Sequence, residues 1–205
     1  MTSKERMMLA LRREVPDRVP ATVHQWQDYH LRTYLGGIDA LAAFRRFGLD
    51  ASIACAPVIE PESPDWRCDV TTADLGGGRS QRRTTITTPG GTLTTAVEMN
   101  PVTAWTTKYL VKRPDDVDLI ERYMPLPTLD VRALAREYDR LGDDGIMRGF
   151  VIGNQGGCWQ DACCLYGLEC MVLAACEDPE WVHRFLRVLQ ARKLRFIDES
   201  LRGAM

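Results

Sequence analysis

His24, Gln25 and Trp26 stand together at the end of an apolar, β-branched run, and Asn154, Gln155 and Trp159 stand beyond another. A neutral imidazole can serve as proton donor or ligand because its charge changes near physiological pH. His24 is therefore the candidate catalytic residue, with a satisfied structural role as the alternative. Asn154 and Gln155 lie among glycines, where amide groups could fix a small-molecule substrate or could satisfy the backbone of their own loop.

Seven cysteines, Cys55, Cys68, Cys158, Cys163, Cys164, Cys170 and Cys176, would be soft metal ligands if their spacing allowed it. The spacing is not that of a zinc knuckle, and His183, near the later cysteines, lies beyond Pro179. These cysteines are expected to pack as small apolar residues, so no metal ligand is assigned among them. An odd count without an export signal argues for reduced thiols. Gly76, Gly77 and Gly78 do not join a buried strand to a helix as a phosphate loop must, and are read as flexible loop.

The elements that must position these residues alternate. Thr2 and Glu5 have capping-box spacing ahead of a short helix that Pro16 stops. Residues 18–26 are expected as a first strand, 38–48 as a helix between glycines, and 51–59 as a buried strand. Prolines and glycines mark residues 60–80 as a loop. β-branched runs on either side of Pro89-Gly90-Gly91 predict an antiparallel hairpin. Helices are expected from Pro114 through Tyr123 and after an Asp130 cap, then a third buried strand over 145–153. One helix over 160–176 follows, and then a last one, with Val182, Phe185, Leu186, Leu189, Phe196, Ile197 and Leu201 on its apolar stripe. Strand–helix alternation implies a mostly parallel sheet in an α/β protein. If the strands near 19–26, 50–58 and 145–152 are neighbours, their ends bring His24, Pro57 and Asn154 to one rim.

The 205 residues, 45% hydrophobic and 26% charged, suit a single globular domain spanning 1–205. A formal net charge of -2 gives no basic footprint for nucleic acid. No apolar run approaches the roughly 20 residues that span a bilayer, and the charged, helical N-terminus is unlike a secretory signal. No membrane association and a cytoplasmic location are expected.

Residues 84–124, TTITTPGGTLTTAVEMNPVTAWTTKYLVKRPDDVDLIERYM, carry a pattern that resembles the uroporphyrinogen decarboxylase superfamily, and the resemblance runs from Lys4 to Met205. It implies a (β/α)8 TIM barrel, here incomplete: an N-terminal portion plus a β-hairpin insertion, because several of the family's strands would follow. Open sheet edges then invite self-association. The decarboxylases carry an Arg-Gln-Ala-Gly-Arg-Tyr motif whose arginines hold tetrapyrrole carboxylates. The matching stretch is His24-Gln25-Trp26-Gln27-Asp28-Tyr29, which keeps Gln25 and Tyr29 but replaces both arginines. The acid that the decarboxylases place at the second strand's end falls near Ala56, with none until Glu60.

These departures favour the superfamily's corrinoid-linked methyltransferase branch, which transfers a methyl group to a thiol or related acceptor. Its zinc ligands, a His-x-Cys pair and a distant Cys, lie in the family's C-terminal half, so zinc and a corrinoid belong to a full-length protein and neither to this chain. A corrinoid protein would be the partner. Substrate contacts are expected from Gln25, Trp26, Asp28, Tyr29, Pro57, Asn154, Gln155 and Trp159, beside His24. The alternatives are uroporphyrinogen III decarboxylation to coproporphyrinogen III in porphyrin biosynthesis, and a catalytically silent or binding module.

Overall fold

The computed structural model describes the backbone of residues 1–204 and the side chains of residues 1–202. In chain order the elements are α1 (Ser3–Leu11), α2 (Asp28–Tyr34), α3 (Ala40–Arg46), β1 (Ala51–Ala54), β2 (Val58–Ile59), β3 (Arg67–Gly76), β4 (Arg79–Thr88), β5 (Gly91–Met99), β6 (Ala104–Lys108), α4 (Asp116–Tyr123), β7 (Thr128–Leu129), α5 (Val131–Leu141), β8 (Gly145–Arg148), α6 (Gly157–Tyr166), α7 (Leu168–Glu177) and α8 (Pro179–Ala204). The fold is mixed α/β with small sheets, and among the described residues none of them closes into a barrel. Two compact units form: Met1–Val58 with Leu129–Val151, and Ile59–Thr128 with Ile152–Met205. Among the described residues no helix is long and apolar enough to cross a membrane.

In the first unit the capping box forms as its spacing predicts: Glu5 N–H donates to Thr2 Oγ1 at 3.1 Å and Thr2 N–H to Glu5 Oε2 at 2.8 Å. Residues 18–26 correct the sequence reading, for they run as coil and not as a strand. Val19 is 84% exposed, Pro20 has no N–H to give a ladder, and polar groups of this stretch are taken by Asp50. The fully buried Asp50 carboxylate accepts from Arg6 Nη1 (2.6 Å), Arg18 Nη1 (2.9 Å) and Ala21 N–H (2.9 Å). Its own N–H donates to the Ala21 carbonyl at 2.7 Å. Arg6 reaches Asp17 as well, Nε to Oδ1 at 2.6 Å and Nη2 to Oδ2 at 2.9 Å, so the buried cation is fully paired.

α3 is capped by Asp39, whose Oδ1 accepts from Ala42 N–H at 2.7 Å, and leads into β1. β1 pairs in parallel with β8, Ala51 opposite Gly145 and Ala54 opposite Arg148. Both strands are shorter than the runs 51–59 and 145–153 suggest. Position 145 is closed to any larger residue, since a Cβ there would collide with the Ala51 carbonyl. α5, capped by Asp130 as expected (Oδ1 from Ala133 N–H, 2.9 Å), precedes β8. Leu41, Phe44, Ala51 and Leu141 form this unit's small core, with Val23, Trp26, Leu49, Ile53 and Met147 packed against it.

In the second unit the expected hairpin is present as β4–β5, Thr85 opposite Thr94, and is widened by β3 and β6 into a four-stranded antiparallel meander. β3 occupies much of the stretch assigned to a loop, and Gly76, Gly77 and Gly78 make its turn into β4. All ten residues of β3 are exposed, so this edge strand has no buried face to give an alternating pattern. The helix expected over 160–176 is two, α6 and α7, broken at Gly167. There φ is +99°, and a Cβ would come 2.9 Å from the Tyr109 ring. Ile86 and Leu93 of the meander, Val117 and Ile120 of α4, Met171 of α7, and Val182, Phe185, Val188 and Leu189 of α8 share one core. Four positions of the expected α8 stripe are buried, while Leu201 is 61% exposed.

Candidate functional site

The carboxyl ends of β1 and β8 place the first group of side chains. Cys55 N–H donates to the Arg148 carbonyl at 3.0 Å, carrying the parallel ladder one residue past β1. Arg148, last in β8, donates from Nη2 to the His24 carbonyl at 2.5 Å, and its Nη1 lies 3.3 Å from His24 Nδ1. A guanidinium only donates, so this contact uses the Nδ1 lone pair and leaves the neutral ring's proton on Nε2. The His24 ring is exposed, and Arg148 is half-buried with its Nε enclosed and without an acceptor. The Phe150 ring lies 5.8 Å from the guanidinium carbon. Among the described residues no carboxylate pairs with Arg148. Burial, and then the charge of Glu137, push the Cys55 thiol up, which keeps it protonated at neutral pH and a poor nucleophile.

Gln25 and Trp26 line a cleft of about 350 Å³ together with His30, Tyr34 and Phe47. Trp26 stacks on Phe47 (centroids 5.6 Å apart) and meets Phe44 edge-on (5.8 Å), and its indole N–H is buried with no acceptor. Asp28, exposed, opens α2, and Tyr29 packs edge-on against His30 and Tyr34 at 5.5 and 6.3 Å. Pro57 accepts from Asp130 N–H at 2.8 Å. The structure thus brings His24 to Arg148, sets Gln25 and Trp26 in the aromatic cleft, and keeps Pro57 at the start of α5.

Asn154, Gln155 and Trp159 belong to the second unit. There Asn154 N–H and Nδ2 donate to Asp161 Oδ1 (2.6 and 2.9 Å), and Lys193 Nζ lies 2.7 Å from Asp161 Oδ2 and donates to the Ile152 carbonyl. The glycine-rich loop is therefore tied to α6 and α8 by a largely buried ion pair, with Asn154 engaged inside it. Gln155 is exposed and Trp159 is 38% exposed. Sequence reasoning passed over Arg148 and Lys193, while Asp161 closes the candidate segment 159–161. A signal existed for both: Arg148 interrupts the apolar run 145–152, and Lys193 falls four residues after Leu189 and before Ile197 on the α8 stripe.

Among the described residues no three His, Cys, Asp or Glu side chains are placed to share a metal ion. The zinc implied by the resemblance therefore finds no ligand set in these residues. Comparison with protein-family models, with curated proteins and with solved structures gives no match to this chain.

Proposed function

We propose that the chain is the N-terminal portion of a uroporphyrinogen decarboxylase-type (β/α)8 barrel that serves corrinoid-linked methyl transfer to a thiol or related small-molecule acceptor. The supporting observation is the parallel register of β1 and β8, with His24 and Arg148 gathered just past their carboxyl ends. Barrels of this type assemble their chemistry at that rim. The meander β3–β6 then corresponds to the hairpin insertion. The outer edges of β1 and β8, unpaired among the described residues, are open to further strands or to self-association.

The methyltransferase reading is preferred to the decarboxylase because His24 and Asp28 replace carboxylate-binding arginines and Ala56 stands where an acid is needed. In this reading His24, Gln25 and Trp26 bind and orient the acceptor, and His24 Nε2–H is available as a hydrogen-bond or proton donor. The Cys55 thiol, held protonated, takes no part as nucleophile.

The test is consumption of methylcobalamin by the full-length protein with a panel of thiols, followed by visible absorbance. Methyl loss is expected, and it should slow by roughly 10-fold or more in His24→Ala. Coproporphyrinogen formation from uroporphyrinogen without methylcobalamin consumption would reverse the choice of branch. Neither reaction would favour the binding module.

A further inference from the structure

We propose that β3 is a pairing edge for a second copy of this chain: the two β3 strands add to each other antiparallel about a two-fold axis at Thr71, joining two four-stranded sheets into one. The inference is independent of the methyl-transfer reading and of the edges of β1 and β8.

The two edges of the meander are built differently. β6 has five residues, ends in Lys108, and its pairing with β5 is bulged between Ala96 and Val97. Short length, lysine and bulges are the devices by which an edge strand turns a partner away. β3 has ten residues, neither lysine nor proline among them, and pairs with β4 without a register shift from Arg67 to Asp74. With a neighbour on one side only, alternate residues of β3 direct their backbone N–H and C=O groups away from the sheet. All ten residues are exposed, Val70 by 56%, so no described segment lies over the strand.

The placement of charge makes the strand complementary to itself. Arg67, Asp69 and Asp74 flank an uncharged middle, Val70-Thr71-Thr72-Ala73. An axis at Thr71 sets Cys68 opposite Asp74 of the second copy, Asp69 opposite Ala73 and Val70 opposite Thr72, so no like charges meet and the whole regular stretch from Cys68 to Asp74 is paired. Other axes do worse. One at Asp69 or at Asp74 puts that carboxylate directly against its own copy, which is destabilising, and one at Val70 brings the two Asp69 side chains diagonal to each other. An axis at Cys68 leaves most of β3 without a partner. About Thr71 the two Val70 side chains instead become diagonal neighbours. They lie on the face that Ile86 turns to the core, because Cys68 stands opposite Ile86 and Val70 is two residues further along.

Sedimentation velocity across a concentration series tests the association. A reversible dimer is expected, and Thr71→Lys, which sets two ammonium groups opposite each other at the axis and removes no core residue, should weaken it roughly 3-fold or more. The register is tested by oxidation. Residues facing each other across the axis stand about 4.5–5.5 Å apart at Cα, within disulfide range. With the exposed Cys68, Cys164, Cys170 and Cys176 changed to serine, Thr71→Cys should give a covalent dimer, and Asp69→Cys, whose two copies would stand about 14 Å apart, should not. A monomer throughout the series, a dimer indifferent to Thr71→Lys, or cross-linking of Asp69→Cys in place of Thr71→Cys would each overturn the proposal. So would growth past the dimer, as pairing of β3 with β6 of the next copy would give. If Thr71→Lys fails to fold, the two cysteine variants still decide.

Discussion

The two units are held together by different forces. In the first, four buried apolar residues make the core, and much of the order comes from the buried Asp50 carboxylate with Arg6 and Arg18; the pairs of Arg45 with Asp144 and Arg140 with Asp39 are half-exposed. In the second, twelve buried apolar residues from the meander, the segment that follows it and four helices share a core; its ion pair of Lys193 with Asp161 is largely buried, and those between Arg184 and Asp118 or Glu121 are half-exposed. Apolar burial is non-directional and tolerates an irregular boundary, whereas a buried carboxylate needs its donors at fixed positions. The first unit can therefore hold a long coil, residues 12–27, in a defined path without giving it strands or helices. That coil delivers His24 to Arg148 and Trp26 to Phe44 and Phe47.

The contrast is broken most directly by removing one anchor from each unit. Phe185→Ala should cost about 3–5 kcal/mol by emptying the larger core. Asp50→Ala should cost about 3–5 kcal/mol by leaving cations without their carboxylate. Denaturant titration gives the sizes, and amide hydrogen exchange gives the places: Asp50→Ala should expose β1 and β8 before β4 and β5. Simultaneous loss of both regions would show that the units do not differ as described.

Acid sharpens the comparison next. The Arg6 guanidinium holds the Asp17 carboxyl down to about 2, against an ordinary 3.8. Burial pushes Asp50 up, but hydrogen bonds from Ala21 N–H, Ser3 and Arg6, with the charge of Arg18, outweigh it and leave Asp50 below its ordinary value. Both carboxyls are depressed on folding, so their stabilisation is complete above the ordinary carboxylate range. For Asp17 it drains away as the pH falls from about 4 towards 2, and for Asp50 as the pH falls through its lowered titration. Amide signals of β1 and β8 should be lost at a higher pH than those of β4 and β5; the reverse order would contradict the charge-held first unit.

The smallest effect expected is local to the second unit. Gly167→Ala puts a side chain at φ +99° and 2.9 Å from the Tyr109 ring, which should cost about 1–3 kcal/mol in thermal unfolding. A neutral outcome would mean that the α6–α7 break is free to rearrange.

Features written in local chemistry were legible in the sequence. The Thr2–Glu5 box, the helix between Gly37 and Gly48, the Asp130 cap with its helix, and the hairpin about Pro89-Gly90-Gly91 declare themselves through neighbours in the chain. What failed depended on distant partners. Residues 18–26 have the composition of a strand, but their hydrogen bonds are claimed by Asp50, over twenty residues away. β3 shows no alternation because its exposed faces never had to be apolar. At the site, His24 and Trp26 were identifiable by type. Arg148 was not, because a lone arginine in a strand gains meaning only from the absence of a carboxylate around it. The tie between Asp161 and Lys193 is likewise invisible until α6 and α8 are placed.

The parallel pairing of β1 with β8 has a consequence in time. Ala51 pairs with Gly145, and the whole meander is made between them. At a synthesis rate of about 5–20 residues per second, β1 waits on the order of 5–20 s for its partner. The hairpins β3–β4 and β4–β5, joined by short turns, can close within microseconds of emerging. The neighbourhood of His24 and Arg148 is therefore assembled late, after the meander is in place, and β1 with its free edge is the segment a nascent chain must protect.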